Sequence, residues 1–242
     1  MSPIYVPGKV TLAQDYIEGD RYFSNVSLLL HGDGTNGSTT IVDNSPSPKT
    51  VTAFGDAQIS TAQSKFGGAS IAFDGSGDYL TTPISDQYTL GGTGDFTVEL
   101  WIFPNGSQTS NAGILGTITN WNTDYLNQFQ LVMSSSTISW LKSTGFPAIS
   151  TSISLNVWSH IAVCRAGSTI SFYLNGTSVG TQTSDQDYSA VRGLFLGLSG
   201  LPASGTTRFF KGWLEEVRIT KGVARYTANF TPPTAPFADA QY

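Results

Sequence analysis

The chain has 242 residues, 39% hydrophobic and 12% aromatic, enough to build the core of one large domain or two small ones. Charged residues make up only 12%, against a usual share of about 25%, while 26 glycines and many Ser, Thr and Asn describe short strands joined by turns. A net charge of -5 with no Lys/Arg run excludes nucleic acid as a partner, and no apolar run approaches the ~20 residues of a membrane helix.

Residues 1–25 hold Pro3, Pro7 and Gly8, then Tyr16 to Phe23 without sustained alternation. This N-terminal arm either packs on a neighbouring subunit or is a disordered or self-packed terminus. Met1 to Lys9 lacks the layout of a signal peptide, and Cys164, in an apolar run, is the single cysteine. Both features predict folding in a reducing cytoplasm, with Cys164 as a small buried hydrophobe.

From Val26 onward strands and turns alternate. Ser27 to His31 predicts a strand stopped by Gly32-Asp33-Gly34. Phe96, Val98, Leu100 and Ile102 take one face of a second strand, with Thr97, Glu99 and Trp101 on the other. Gln128 to Met133, Thr137 to Lys142 and Trp158 to Arg165 continue the series, and Thr169 to Leu174 turns at Asn175-Gly176. Asn-Gly between alternating runs predicts a type I′ hairpin, because both residues accept positive φ. Gly193 to Leu198 and Trp213 to Thr220 supply the last long strands, and Phe230 to Phe237 is too proline-rich for a central one. The expected fold is all-β, a two-sheet antiparallel jelly-roll sandwich over residues 26–238, followed by a tail at 239–242. Trp101, Trp158 and Trp213, lying on strand motifs, are expected in the core.

Four segments carry a resemblance: Gly67 to Leu80, Phe96 to Pro104, Trp158 to Val163 with Phe172 to Gly176, and Phe210 to Ile219. In this order they resemble the laminin G-like, concanavalin A-like jelly-roll family. Leu28-Leu29-Leu30-His31-Gly32-Asp33-Gly34 and Ile219 to Tyr226 are similar in wording to the bacteriophage virion proteins that carry this domain. The resemblance implies a virion structural protein, a capsid decoration or tail/fibre component, assembled in the host cytoplasm as a homo-oligomer and joined to other virion proteins through the arm. The alternative is a free bacterial lectin or adhesion module working outside the cell on surface glycans.

Related glycosidases use paired carboxylates on one strand face. Here Glu99 stands alone, and alternation sends the adjacent Glu215 and Glu216 to opposite faces, so no catalytic residue is assigned and a non-enzyme is expected. His31 and His160 are read as packing or hydrogen-bonding residues. The family often holds calcium through aspartates and carbonyls, which implies Asp33, Asp74, Asp78 and Glu215 as ligands, with Asp43 a further candidate in the first long loop. The aspartates shape turns equally well by bonding their own backbone. Glu215 is expected to share a face with Trp213, Val217 and Ile219, where a buried carboxylate needs a cation or several donors. Sugar binding needs an aromatic face beside amides and carboxylates. Asn120, Trp121, Asn122, Asp124 and Tyr125 have that composition, as does Tyr188 with Asp185 and Asp187; packing onto the sheet is the competing role for Trp121 and Tyr125.

Overall fold

A computed structural model describes residues 19–92, 94–117, 127–141, 147–183, 187–200 and 208–241. Two antiparallel sheets face each other, as the alternation predicted. The first contains β1 (Val26–Leu30), β3 (Gln58–Ser60), β4 (Ser70–Asp74), β6 (Phe96–Pro104), β11 (Ser159–Ala166), β12 (Thr169–Leu174), β13 (Thr177–Thr183) and β17 (Lys211–Lys221). Their order is β13-β12-β11-β6-β17-β4-β3, with β1 also paired to β17. The second has the order β10-β9-β8-β7-β14-β5-β2, built from β2 (Thr52–Phe54), β5 (Tyr79–Thr81), β7 (Gln108–Gly116), β8 (Gln130–Ser135), β9 (Thr137–Leu141), β10 (Pro147–Ser152) and β14 (Phe195–Leu196). A short ribbon pairs β15 (Leu198–Ser199) with β16 (Arg208–Phe209). The long strand expected over Gly193 to Leu198 is thus two short ones, because Gly197 between them has φ 80° and breaks the extended run.

Between the sheets, Phe96, Val98, Leu100 and Ile102 are all essentially buried, and Trp140 is wholly so. Trp140 stacks on Phe129 at 5.3 Å and on Phe96 at 5.8 Å, and its indole nitrogen donates to the Tyr188 hydroxyl at 3.2 Å. The β12–β13 hairpin turns where the sequence places it, with Asn175 at φ 49° and Gly176 at φ 76°.

One irregularity decides what the first sheet shows on its outside. On β17, Glu215 pairs with Trp101 and Arg218 with Glu99, so three steps on β17 match two on β6. Glu216, with φ 53°, sits in this bulge. The side-chain order is shifted by one beyond it. Val217 and Ile219 therefore join Leu214 in the core, while Arg218 and Thr220 continue the outer face begun by Trp213 and Glu215. The expectation that Glu215 shares a face with Val217 and Ile219 is corrected, since simple alternation does not allow for an inserted residue.

The three tryptophans are corrected too. Trp101, Trp158 and Trp213 lie outside the inter-sheet core: Trp101 packs on Phe66 at 5.6 Å and His160 at 5.3 Å, whereas Trp158 and Trp213 flank Phe103 at 5.7 and 5.5 Å. Strand parity makes the outer face as aromatic as the inner one. The fold tolerates this because the C-terminal segment covers much of that face.

Candidate functional site

The outer face of the first sheet has two ends. At the covered end, Glu99 is fully buried and its Oε1 accepts from Arg218 Nε at 3.0 Å and Nη2 at 2.8 Å. Its Oε2 accepts from the Tyr226 hydroxyl at 2.9 Å and lies 3.4 Å from His160 Nε2. Asp20, buried at the base of the arm, accepts from Arg218 at 3.2 Å and from both terminal nitrogens of Arg225 at 2.9 and 2.5 Å. Burial pushes both carboxyls up. At Glu99 the charge of Arg218, the hydrogen bond and charge of His160 and the charge of Arg225 together outweigh it. At Asp20 the hydrogen bonds of Arg225 and the Tyr22 N–H, with the charges of Arg225 and Arg218, do so, and both carboxyls are held below the usual carboxylate range.

The C-terminal segment lies over this network. Phe230 stacks on Tyr226 at 3.6 Å, its N–H donates to Gly176 at 2.9 Å, and the Phe237 ring covers the Arg218 guanidinium at 3.6 Å. The Phe237 N–H donates to Glu216 at 2.7 Å, while the other Glu216 oxygen pairs with His31 Nδ1 at 2.7 Å. Asp20 N–H donates to Ala240 at 2.8 Å, joining the arm to the tail. The proline-rich end forms no strand, as expected; it bends at Thr234 and Ala235 and buries Phe237 against the sheet.

The open end has a different character. A cleft of about 550 Å³ is lined by Trp213, Gln58, Asn105, Lys211 and the aspartates Asp56, Asp74 and Asp78. Strand pairing sets it out: Lys211 lies opposite Asp74, Trp213 opposite Ala72, and Gln58 opposite Ala72 from the other side. Asp78 is nearly inaccessible and holds the wall together, accepting from Asp56 N–H at 2.5 Å and Asp74 N–H at 2.8 Å. Burial raises its carboxyl; those two N–H groups oppose the rise, and the charges of Asp74 and Asp56 add to it. Asp74 turns back on its own loop, accepting from Ser76 N–H at 2.6 Å. Among the described residues, the side chains of Asp56, Gln58, Asn105 and Lys211 form no hydrogen bond or ion pair with one another or with other side chains. Amides, a carboxylate and an ammonium beside an indole are therefore left free for a ligand.

The other assignments scatter. Asn120, Trp121, Asn122, Asp124 and Tyr125, and also Asp185, lie outside the described residues. Tyr188 is a core residue bonded to Trp140, which removes its face from any ligand. Asp43 is also buried, its carboxylate accepting the N–H groups of Leu29, Ser45 and Lys49. Asp33 is exposed and borders a separate cavity of about 470 Å³ with His31 and Asp239. Glu215 is buried, and its oxygens accept from Lys65 N–H at 2.5 Å and Phe66 N–H at 2.7 Å. Amide donors thus meet the requirement that a cation would otherwise meet. Only Asp74 and Asp78 share a cleft, and among the described residues no three His, Cys, Asp or Glu are grouped to hold a metal ion. Since Ca²⁺ takes six to eight oxygens, Asp33, Asp74, Asp78 and Glu215 do not fit one calcium cage. The cleft residues Asp56, Gln58, Asn105 and Lys211 carried no signal of their own, because strand pairing across distant segments brings them together.

Residues 74–225 match the laminin G 3 family, described as the concanavalin A-like lectin/glucanases superfamily. The chain belongs to this superfamily. No curated protein matches it in sequence. Among solved structures, domain 4 of the extracellular arabinanase AbnA from Geobacillus stearothermophilus, solved with arabinotriose, is 19% identical with a TM-score of 0.60, covering 83% of this chain and 94% of that one. The binding domain of botulinum neurotoxin serotype G is 15% identical with a TM-score of 0.60, covering 82% and 48% respectively. The type C neurotoxin, whose cell entry depends on interaction with two ganglioside molecules, is 16% identical with a TM-score of 0.60, covering 83% and 49%. The chain spans about half the length of these toxin domains. At such identities the likeness concerns the fold.

Proposed function

We propose that this lectin-like domain binds carbohydrate, without catalysis, in the outer-face cleft beside Trp213. The observation that carries the reading is the free set of Asp56, Gln58, Asn105 and Lys211 next to an indole, the combination that saccharide recognition needs. The arabinotriose relative supports it by analogy of fold. Calorimetry of the intact chain against an oligosaccharide panel tests it: binding that Trp213→Ala weakens at least tenfold is expected, and binding unaffected by that substitution refutes the location.

A second reading concerns the setting. The wording of Leu28 to Gly34 and Ile219 to Tyr226 supports a bacteriophage virion component, displayed as a homo-oligomer and joined to its particle through the arm. The two segments adjoin in the fold, where Leu28 lies opposite Ile219. Mass spectrometry of purified particles from the source tests this setting; absence of the polypeptide leaves the free extracellular lectin.

A further inference from the structure

The charges around the cleft bear on which saccharides it accepts, given the carbohydrate-binding reading on which this rests. We infer that the cleft selects uncharged saccharides and rejects those carrying carboxylates, such as sialylated or uronate-bearing glycans. Three carboxylates line the walls against a single ammonium, Lys211. Asp56 and Asp74 are exposed at the mouth, and Asp78 is buried behind them. All three belong to one connected wall, because the Asp78 carboxylate binds the backbone of both others at 2.5 and 2.8 Å.

Neutral sugar hydroxyls suit such walls. Each hydroxyl donates to a carboxylate and accepts from an amide or ammonium, so Asp56 and Asp74 can each receive a hydroxyl while Gln58, Asn105 and Lys211 supply donors. An acidic sugar brings acceptors and negative charge to the same place. Lys211 alone can answer it, against the repulsion of two exposed aspartates.

Calorimetry with matched pairs decides the matter: a neutral oligosaccharide and the same core bearing sialic acid or a uronic acid, each titrated into the intact chain at low and high salt. The neutral member of each pair is expected to bind at least tenfold more tightly, and the gap to narrow at high salt as screening weakens the repulsion. Asp56→Asn with Asp74→Asn should narrow the gap to within about threefold, which a merely steric exclusion would leave unchanged. Equal or tighter binding of the acidic member overturns the inference while leaving carbohydrate binding in place. Failure of every saccharide, neutral and acidic, overturns the carbohydrate reading and this inference with it. Thermal melts of the double variant separate altered selectivity from unfolding, which is not expected at two exposed side chains.

Discussion

The two ends of one sheet face differ in how their polar groups are used. Around Glu99 every strong charge has a partner: Arg218 and Arg225 lie between Glu99 and Asp20, and the tail closes over them. Around Trp213, a few residues away along the same strands, polar side chains stand without partners in an open cleft. Both ends share β17, which carries Trp213 at one and Arg218 at the other, so that strand alone does not separate them. The separation comes from the C-terminal segment, which covers one end and leaves the other open. Buried charges need their partners inside the molecule, whereas half-exposed polar groups can wait for a ligand.

The largest effect should come from removing Glu99. Glu99→Ala leaves Arg218 buried without its main partner and should cost about 3–5 kcal/mol by chemical denaturation. A cost below about 1 kcal/mol would mean that the covered end contributes little to stability and would break the contrast. Acid should act on the same network. Glu99 and Asp20 have depressed carboxyls, so their contribution is complete above the unfolded values near 4 and declines as pH falls below them. Stability is therefore expected to fall below about pH 4, with a shallower slope in Glu99→Gln.

Asp20→Ala should loosen the junction of arm and tail at a cost of about 1–3 kcal/mol. Cys164 reports on this opening: it lies beneath Tyr226 and Phe230, and burial pushes its thiol up to about 12. In the native protein it should resist alkylation at pH 8, and in Asp20→Ala the labelling rate should rise at least tenfold. At the open end, Trp213→Ala should reduce saccharide affinity at least tenfold, about 1.4 kcal/mol, with less loss of stability than Glu99→Ala. The smallest effect is expected at His31. Burial lowers its value, but the hydrogen bond and charge of Glu216, with Asp239 and Asp33 adding, raise it overall. Its contribution is complete below about pH 6.5 and is lost as pH rises through the folded value, so His31→Ala should flatten a decline of at most about 1 kcal/mol above neutrality.

Much of the architecture was legible beforehand. Period-two alternation on β6 separated its two faces correctly, though it did not tell which face Trp101 would leave outside the core, and Asn175-Gly176 marked its hairpin, because these features depend on neighbours in sequence. Strands β2, β3 and β5 escaped notice since three-residue strands are too short to show a period. The site was far less legible. Asp74 and Asp78 were singled out for a turn and a metal, and the structure makes them one wall of a cleft whose other walls come from residues 56–58, 105 and 211–213.

By itself the sequence determined the class, the alternating strands and the family likeness, since local propensity and periodicity are written in adjacent residues. Tertiary structure decided which aromatic faced which way and which charges were engaged. A single inserted residue at Glu216 moved Arg218 onto the outer face, where it meets Glu99, Asp20 and the tail, residues up to 198 positions away in the chain. No local pattern encodes such a meeting, because it depends on register between strands that only the folded sheet brings together.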